Sequence, residues 1–206
     1  MSILDSFRKN PYQIAGSLLF LAGVIAIMGI ITAEIFYPSG YSTSNSEISD
    51  LGATRPPNSI IVQPSAVIFN STMIITGIMT LIGAYCVFLI YRKLIFNIPF
   101  GIFGLGILGV GIFPGNVELL HPLSALITFI FGGIAAITSS KVLDSPFRYV
   151  SICLGVVALF FLFSAGFFIP LLGGGGTERW VAYPIVMWLV GFGGYLLGVN
   201  SKIKKD

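Results

Sequence analysis

The side chains able to carry out acid–base chemistry are few in this chain. His121 is the single histidine, and Glu118 lies three residues before it. A histidine acts as a general base when a carboxylate orients its ring; Glu34, Asp50 and Glu118 are the available carboxylates, and we expect Asp50 or Glu118 to orient His121. Such a set would suit a membrane enzyme acting on a lipid or another amphiphile. The catalytic candidates are therefore His121, Asp50 and Glu118.

His121 is also the only candidate ligand for a cofactor. The sequence has no HExxH motif and no paired histidines, so a zinc site is not predicted. Haem iron accepts one histidine together with a methionine or an open position, which leaves open a haem-binding electron-transfer subunit that uses His121. A bis-histidine haem site needs a second histidine and is not predicted. Cys86 and Cys153 match no metal motif.

The composition predicts that helices inside a lipid bilayer position these residues. The chain has 206 residues, of which 55% are hydrophobic and 9% charged, and its mean hydropathy is +0.95. A helix needs about 20 apolar residues to cross a bilayer. We expect an all-α transmembrane bundle of six helices that forms one domain over residues 1–206. The predicted spans lie near 12–36, 66–90, 98–114, 122–140, 147–170 and 179–200.

The basic residues predict the orientation of this bundle. Arg55 and Arg179 lie on one side, and the other nine lie on the side of the two termini: Arg8, Lys9, Arg92, Lys93, Lys141, Arg148, Lys202, Lys204 and Lys205. The positive-inside rule therefore predicts a plasma-membrane protein with both termini in the cytoplasm. The net charge of +3 is explained by this asymmetry, so a nucleic-acid partner is not predicted.

The acidic residues favour the opposite, outer end. Five of the eight lie there together with His121, namely Glu34, Glu47, Asp50, Glu118 and Glu178. No ionisable residue falls near the middle of a predicted span, which weakens the interpretation as a transporter or channel. Chemistry or binding is therefore expected at the outer rim.

The longest connection, residues 37–65, carries part of this rim. Ser44 and Glu47 have the spacing of a capping box, and Gly52 would supply a left-handed stop. We therefore predict a two-turn helix over "SEISDLGA" that lies on the outer membrane surface and covers the bundle. Loops of this length are often functional. The alternative is a solvent-exposed helix whose acidic side chains take no part in a binding site. The glycine run at 173–176 is predicted to be a flexible connection between the last two helices.

Our first interpretation is a non-enzymatic protein whose outer site binds a small ligand, a lipid headgroup or a partner subunit. The membrane enzyme, the haem subunit and the transporter are the alternatives. Small residues at helical spacing, such as Gly194 and Gly198, predict a homo-oligomer or a larger membrane complex. The predicted ligand-binding residues are Glu34, Tyr37, Tyr41, Ser49, Asp50, Arg55, Asn70, Glu118 and His121.

Five short motifs together resemble a family of archaeal and bacterial integral membrane proteins of unknown function. They are Tyr37-Pro38-Ser39-Gly40-Tyr41-Ser42, Ile48-Ser49-Asp50-Leu51-Gly52-Ala53, Ile68-Phe69-Asn70, Gly111-Ile112-Phe113-Pro114 and His121-Pro122-Leu123-Ser124-Ala125. The resemblance implies a compact six-helix bundle in the cytoplasmic membrane. It also implies that the outer loop, Asn70 and His121 belong to one recurring pattern. No reaction is established for the family, so it implies no catalytic role.

Overall fold

A computed structural model describes the backbone of residues 10–203 and the side chains of residues 10–199. The basic residues Arg8, Lys9, Lys204 and Lys205 and the side chain of Lys202 lie outside this description. Six α-helices make up the described chain: α1 Pro11–Ile35, α2 Ser65–Tyr91, α3 Leu94–Ile112, α4 Leu120–Ser139, α5 Phe147–Phe163 and α6 Ala165–Ile203. One short 3-10 helix, η1 (Ile48–Leu51), lies between α1 and α2. The described residues contain no strand, so the all-α class with six helices is confirmed.

Five of these helices are long and apolar enough to cross a membrane, and together they make the chain a multi-pass membrane protein. They are α1, α2, α3, α4 and α6, whereas α5 has 17 residues. A helix rises about 1.5 Å per residue, so 17 residues fall short of a hydrocarbon core of about 30 Å.

The last two helices divide differently from the prediction. Phe161 stacks on Trp180 with ring centroids 4.9 Å apart, and a side chain at Gly191 would meet the Phe147 ring. α5 therefore runs antiparallel to the later part of α6, and the chain reverses between them. Gly173, with φ 78° and ψ 168°, is the non-helical residue inside α6. The predicted connection over residues 173–176 is observed as a break at Gly173 alone, where two helical segments meet at a kink, because residues 174–176 are helical.

The six helices form a closed ring. Each helix packs against the next in sequence, and α6 packs against α1. Aromatic side chains from α3 and α6 fill the interior at one end, where Phe96 and Phe100 stack at 5.2 Å and Phe100 lies edge-on to Trp188 at 5.6 Å. The Trp188 indole N–H donates to Ser139 Oγ at 3.1 Å, which satisfies the polar atom of this buried ring. Phe103 is the last ring of the stack toward the other end.

Residues 36–64, which we call the cap, lie across that other end, which we call the capped end. The predicted two-turn helix was wrong in its length and in its capping residues. η1 has four residues, Glu47 precedes it, and Asp50 Oδ2 accepts the Glu47 backbone N–H at 2.8 Å. Gly52 has φ −86° and is not left-handed. The preceding residues do not extend the helix, because the carbonyl groups of Thr43, Ser44 and Ser46 accept hydrogen bonds from α6.

Candidate functional site

The cap is packed into the fold. Ile48, Leu51 and Ala53 are 5%, 0% and 1% exposed, and η1 contacts α1, α2 and α6. The Ser65 hydroxyl, at the start of α2, donates to the Leu51 carbonyl at 3.1 Å. Side chains buried to this degree contribute roughly 1.5–3 kcal/mol each when they are large and apolar. The cap is thus a structural element of the capped end.

Arg179 joins the cap to two helices through side-chain contacts. Its Nη2 donates to Glu34 Oε1 of α1 at 2.5 Å and to the Tyr41 hydroxyl of the cap at 2.7 Å. The Tyr41 hydroxyl in turn donates to the Glu47 carbonyl at 3.2 Å. The ion-paired side chains are 11% and 22% exposed, so the charges are largely shielded from solvent. Such pairs contribute to stability only when the remaining donors and acceptors are also satisfied.

The second terminal nitrogen of Arg179 donates its hydrogen bonds to backbone carbonyl groups. Nη1 donates to the carbonyl oxygens of Thr43 at 2.8 Å, Ser46 at 3.1 Å and Gly175 at 3.1 Å. One guanidinium therefore binds α1, α6 and three points along the cap. Arginine suits this role because its planar group presents several donors in a fixed geometry.

Glycines in α6 allow the cap to approach the helix backbone. A side chain at Gly173 or Gly175 would overlap the carbonyl oxygen of Ser44 or Ser46, respectively. The Gly176 N–H donates to the Ser44 carbonyl at 2.9 Å. The glycine run is therefore a docking surface for the cap, and its sequence signal was misread as flexibility. A further glycine, Gly115, makes a similarly close approach to the Ala53 carbonyl from the turn between α3 and α4.

Glu178 lies beside Arg179 in sequence but serves a different contact. Its Oε2 accepts the backbone N–H of Ile48, the first residue of η1. Glu178 also lines a cavity of about 80 Å³ that lies between the helices beneath the cap. The carboxylate thus stands where the cap meets the interior of the ring.

The cavity is almost entirely apolar. Its polar lining consists of Glu178, Ser49 of the cap, Thr76 of α2 and Thr128 of α4. The Thr128 hydroxyl already donates to the Ser124 carbonyl at 2.8 Å. The apolar lining residues come from α1, α2, α3, α4, α6 and the cap: Ala26, Ile30, Ile48, Phe69, Met73, Phe103, Ile107, Val110, Ala125, Phe129, Ala182, Ile185, Val186 and Leu189. A cavity of this kind is large enough for a small molecule, since one water needs only about 10–15 Å³.

A second polar group lies at the rim of the cap. Arg55 Nη2 donates to both Glu47 carboxylate oxygens, at 2.9 and 2.7 Å, and the Arg55 side chain is 62% exposed.

Burial raises the pKa of Asp50 above its ordinary value, and the neighbouring Glu47 carboxylate acts in the same direction. The folded chain therefore binds the Asp50 carboxyl proton more tightly than the unfolded chain does, and the protonated carboxyl group stabilises the fold at low pH. This contribution to the free energy of unfolding is lost as the pH rises from the ordinary aspartate pKa through the raised pKa.

His121 is anchored to the turn that precedes α4. Its Nδ1 lies 2.7 Å from the Phe113 carbonyl oxygen, so Nδ1 carries the proton and donates to it. The residue is 3% exposed. Glu118 is exposed, and among the described residues no hydrogen bond or ion pair joins it to His121. Asp50 interacts electrostatically with His121 across the capped end.

The predicted ligand-binding residues thus fall into several groups. Glu34 and Tyr41 bind Arg179, and the Tyr37 ring packs on Tyr41 with centroids 5.1 Å apart. Ser49 lines the cavity. Asn70 lies against Gly52, and its Oδ1 has no hydrogen-bond partner among the described side chains and backbone. The remaining four, Asp50, Arg55, Glu118 and His121, occupy the rim and the adjoining turn.

Arg179 and Glu178 are the two central residues that the predicted site omitted. Both are charged residues at the capped end of a span, and both follow a run of four glycines. That combination was the available signal, because a glycine run beside two charges indicates close backbone packing as readily as flexibility. Within residues 10–203, no three histidine, cysteine or acidic side chains come together as a metal site.

Comparison with known protein families identifies the family to which this chain is similar. The family model described as "Protein of unknown function (DUF998)" matches residues 20–195. Neither a curated protein nor a solved structure matches the chain.

Proposed function

We infer the function from the capped end itself, because the chain belongs to the DUF998 family, whose function is unknown. We propose that this membrane protein binds a small, mostly apolar ligand in the cavity beneath the cap. The observation that carries the proposal is the placement of one carboxyl group, Glu178, at an almost entirely apolar cavity of about 80 Å³. Apolar cavities with a few convergent polar groups are the usual form of small-molecule sites.

The lining defines the class of ligand. The body must be apolar and only a few carbon atoms long, since an engineered cavity of about 150 Å³ is filled by benzene. A hydrogen-bond donor at the polar end matches the free oxygen of the Glu178 carboxyl group, and the Ser49 hydroxyl can accept or donate a second hydrogen bond. The Ile48 N–H occupies one acceptor site of Glu178. A short alkyl chain that ends in an ammonium or hydroxyl group meets both requirements.

The experiment compares n-butylamine and n-butanol as probes of the protein in lipid nanodiscs. We expect both to raise the thermal unfolding midpoint, n-butylamine more strongly, by about 2–4 °C for each kcal/mol of binding. Ala182→Leu, which adds three carbon atoms to the cavity wall, should abolish the rise. Ala165→Leu is the control, since Ala165 does not line the cavity. Equal rises in the parent chain and in both variants would indicate partition into the lipid and refute the proposal.

A lipid enzyme and a haem subunit have weaker support from the same geometry. His121 does not line the cavity, and its Nδ1 is committed to the Phe113 carbonyl. A haem is far larger than 80 Å³, so the residues around the cavity do not fit one. The binding proposal instead uses Glu178 and Ser49, which line the cavity.

We propose further that the capped end faces the outside of the cell membrane. The connections at the opposite end of the ring carry Arg92, Lys93, Lys141 and Arg148, whereas Arg55 and Arg179 are the basic residues of the capped end. Basic residues are enriched on the cytoplasmic side of membrane proteins.

Labelling of single introduced cysteines in intact cells tests this orientation. Asn58→Cys lies in the cap and Asp144→Cys at the opposite end, and both positions are exposed. In a chain with Cys86 and Cys153 replaced by alanine, we expect a membrane-impermeant maleimide to label position 58 at once. Position 144 should react only after the membrane is permeabilised. The reverse pattern would invert the topology.

A further inference from the structure

A groove of about 600 Å³ lies on the outside of the ring, between α5 and α6. Leu154 and Val157 line it from α5, Met187 lines it from α6, and Thr43 of the cap lies at its capped end. Among the described residues, none lines both this groove and the cavity beneath the cap. The ligand proposed for the cavity therefore does not account for the groove.

The groove carries a positive charge at its capped end. Arg179 is the one charged side chain in the described lining, since its partner Glu34 does not line the groove. The Tyr183 hydroxyl lies beside the guanidinium. Arginine has no acceptor, so this hydroxyl can only accept from Arg179, and no described residue accepts its own O–H. A cation with a free O–H beside it favours an anionic hydrogen-bond acceptor.

The groove has the length of one leaflet. From Gly176 to Met187 its α6 wall advances about 16 Å, which is about half of a hydrocarbon core of about 30 Å. Trp180 lines the charged end and is 50% exposed, and tryptophan is enriched at the level of the lipid headgroups. A cavity of about 150 Å³ holds the six carbon atoms of benzene, so a groove of about 600 Å³ has room for one long acyl chain.

We propose that this groove binds one phospholipid from the leaflet at the capped end. The phosphate lies against Arg179 and accepts the Tyr183 O–H, and one acyl chain lies between α5 and α6. A phospholipid meets the three observations together. It carries the anionic acceptor, it places that group at the depth of Trp180, and its chain has the length of one leaflet. The planar guanidinium is also the side chain best suited to a phosphate.

Native mass spectrometry of the protein released from detergent micelles tests the occupant, with dioleoyl phosphatidylglycerol as the probe. We expect one phospholipid to remain bound. Dioleoylglycerol has the same chains without the phosphate and should bind about tenfold more weakly, because it loses the hydrogen bonds to a charged group. Equal binding of dioleoylglycerol, or of oleate, would overturn the proposal. Displacement of the phospholipid by an equal concentration of inorganic phosphate would show an anion site alone and would also overturn it.

Two pairs of variants test the location. Val157→Trp fills the groove, whereas Val156→Trp is the control, because Val156 is 51% exposed and does not line the groove. Met187→Phe in the groove and Met28→Phe on α1 repeat the comparison at positions that are each 55% exposed, where a larger side chain does not disturb the fold. We expect both groove variants to lose the bound phospholipid and both controls to keep it. Equal retention by all four folded variants would refute the site.

Discussion

Replacing Arg179 with methionine is expected to destabilise the protein by about 3–5 kcal/mol, the cost of removing one partner from a buried ion pair. The substitution leaves the Glu34 carboxylate without its counter-ion and removes the donor to the Tyr41 hydroxyl. Three backbone carbonyls of the cap and α6 also lose a donor. The free energy of unfolding in detergent micelles measures the loss.

Arg55→Met is the matched control. It removes the same charge from the same end of the molecule and breaks a pair of similar geometry with Glu47. Because Arg55 is 62% exposed, we expect a loss of only about 0–1 kcal/mol. Equal losses in the two variants would contradict the role given to Arg179.

The second large effect is expected at Gly175. A Cβ atom there would overlap the Ser46 carbonyl oxygen, which is backbone and cannot move aside without shifting the cap. We expect Gly175→Ala to destabilise the protein by about 1–3 kcal/mol, the range for overpacking. The thermal unfolding midpoint in lipid nanodiscs reports this loss.

The neighbouring glycine provides the control for this prediction. At Gly174 an added Cβ would lie 3.6 Å from the Asn45 carbonyl oxygen, which is ordinary contact. Gly174→Ala should be neutral or stabilising by up to about 1 kcal/mol, because alanine is the better helix former. If Gly175→Ala were equally well tolerated, the glycine run would not be the docking surface of the cap.

The helices could be predicted from sequence because the bilayer sets their length. Apolar runs of about 20 residues identify spans without knowledge of any tertiary contact. The first span, predicted near 12–36, is observed as Pro11–Ile35, whereas α3 begins at Leu94 rather than near residue 98. The boundary between the last two helices was harder to predict. The helices break at Ser164 and at Gly173, and neither position is marked by a change in hydropathy.

The site could be predicted only in part, because its central contact is not local. Glu34 and Arg179 are 145 residues apart in sequence, and no pattern in either helix indicates the other. Glu34 and Tyr41 were among the predicted binding residues, whereas Arg179, which contacts both, was not. The cap shows a related error: Ser44 and Glu47 have capping-box spacing, but the hydrogen bond forms three residues later, between Glu47 and Asp50.

Hydrogen exchange of the cap amides tests most directly whether Arg179 holds an ordered cap over the cavity. The amides of Glu47, Ile48 and Gly52 donate to Asp50, Glu178 and the Ser49 carbonyl, respectively. We predict that they exchange slowly in the parent chain and in Arg55→Met, and many times faster in Arg179→Met. Rapid exchange in the parent chain, or rates unchanged by Arg179→Met, would contradict the account.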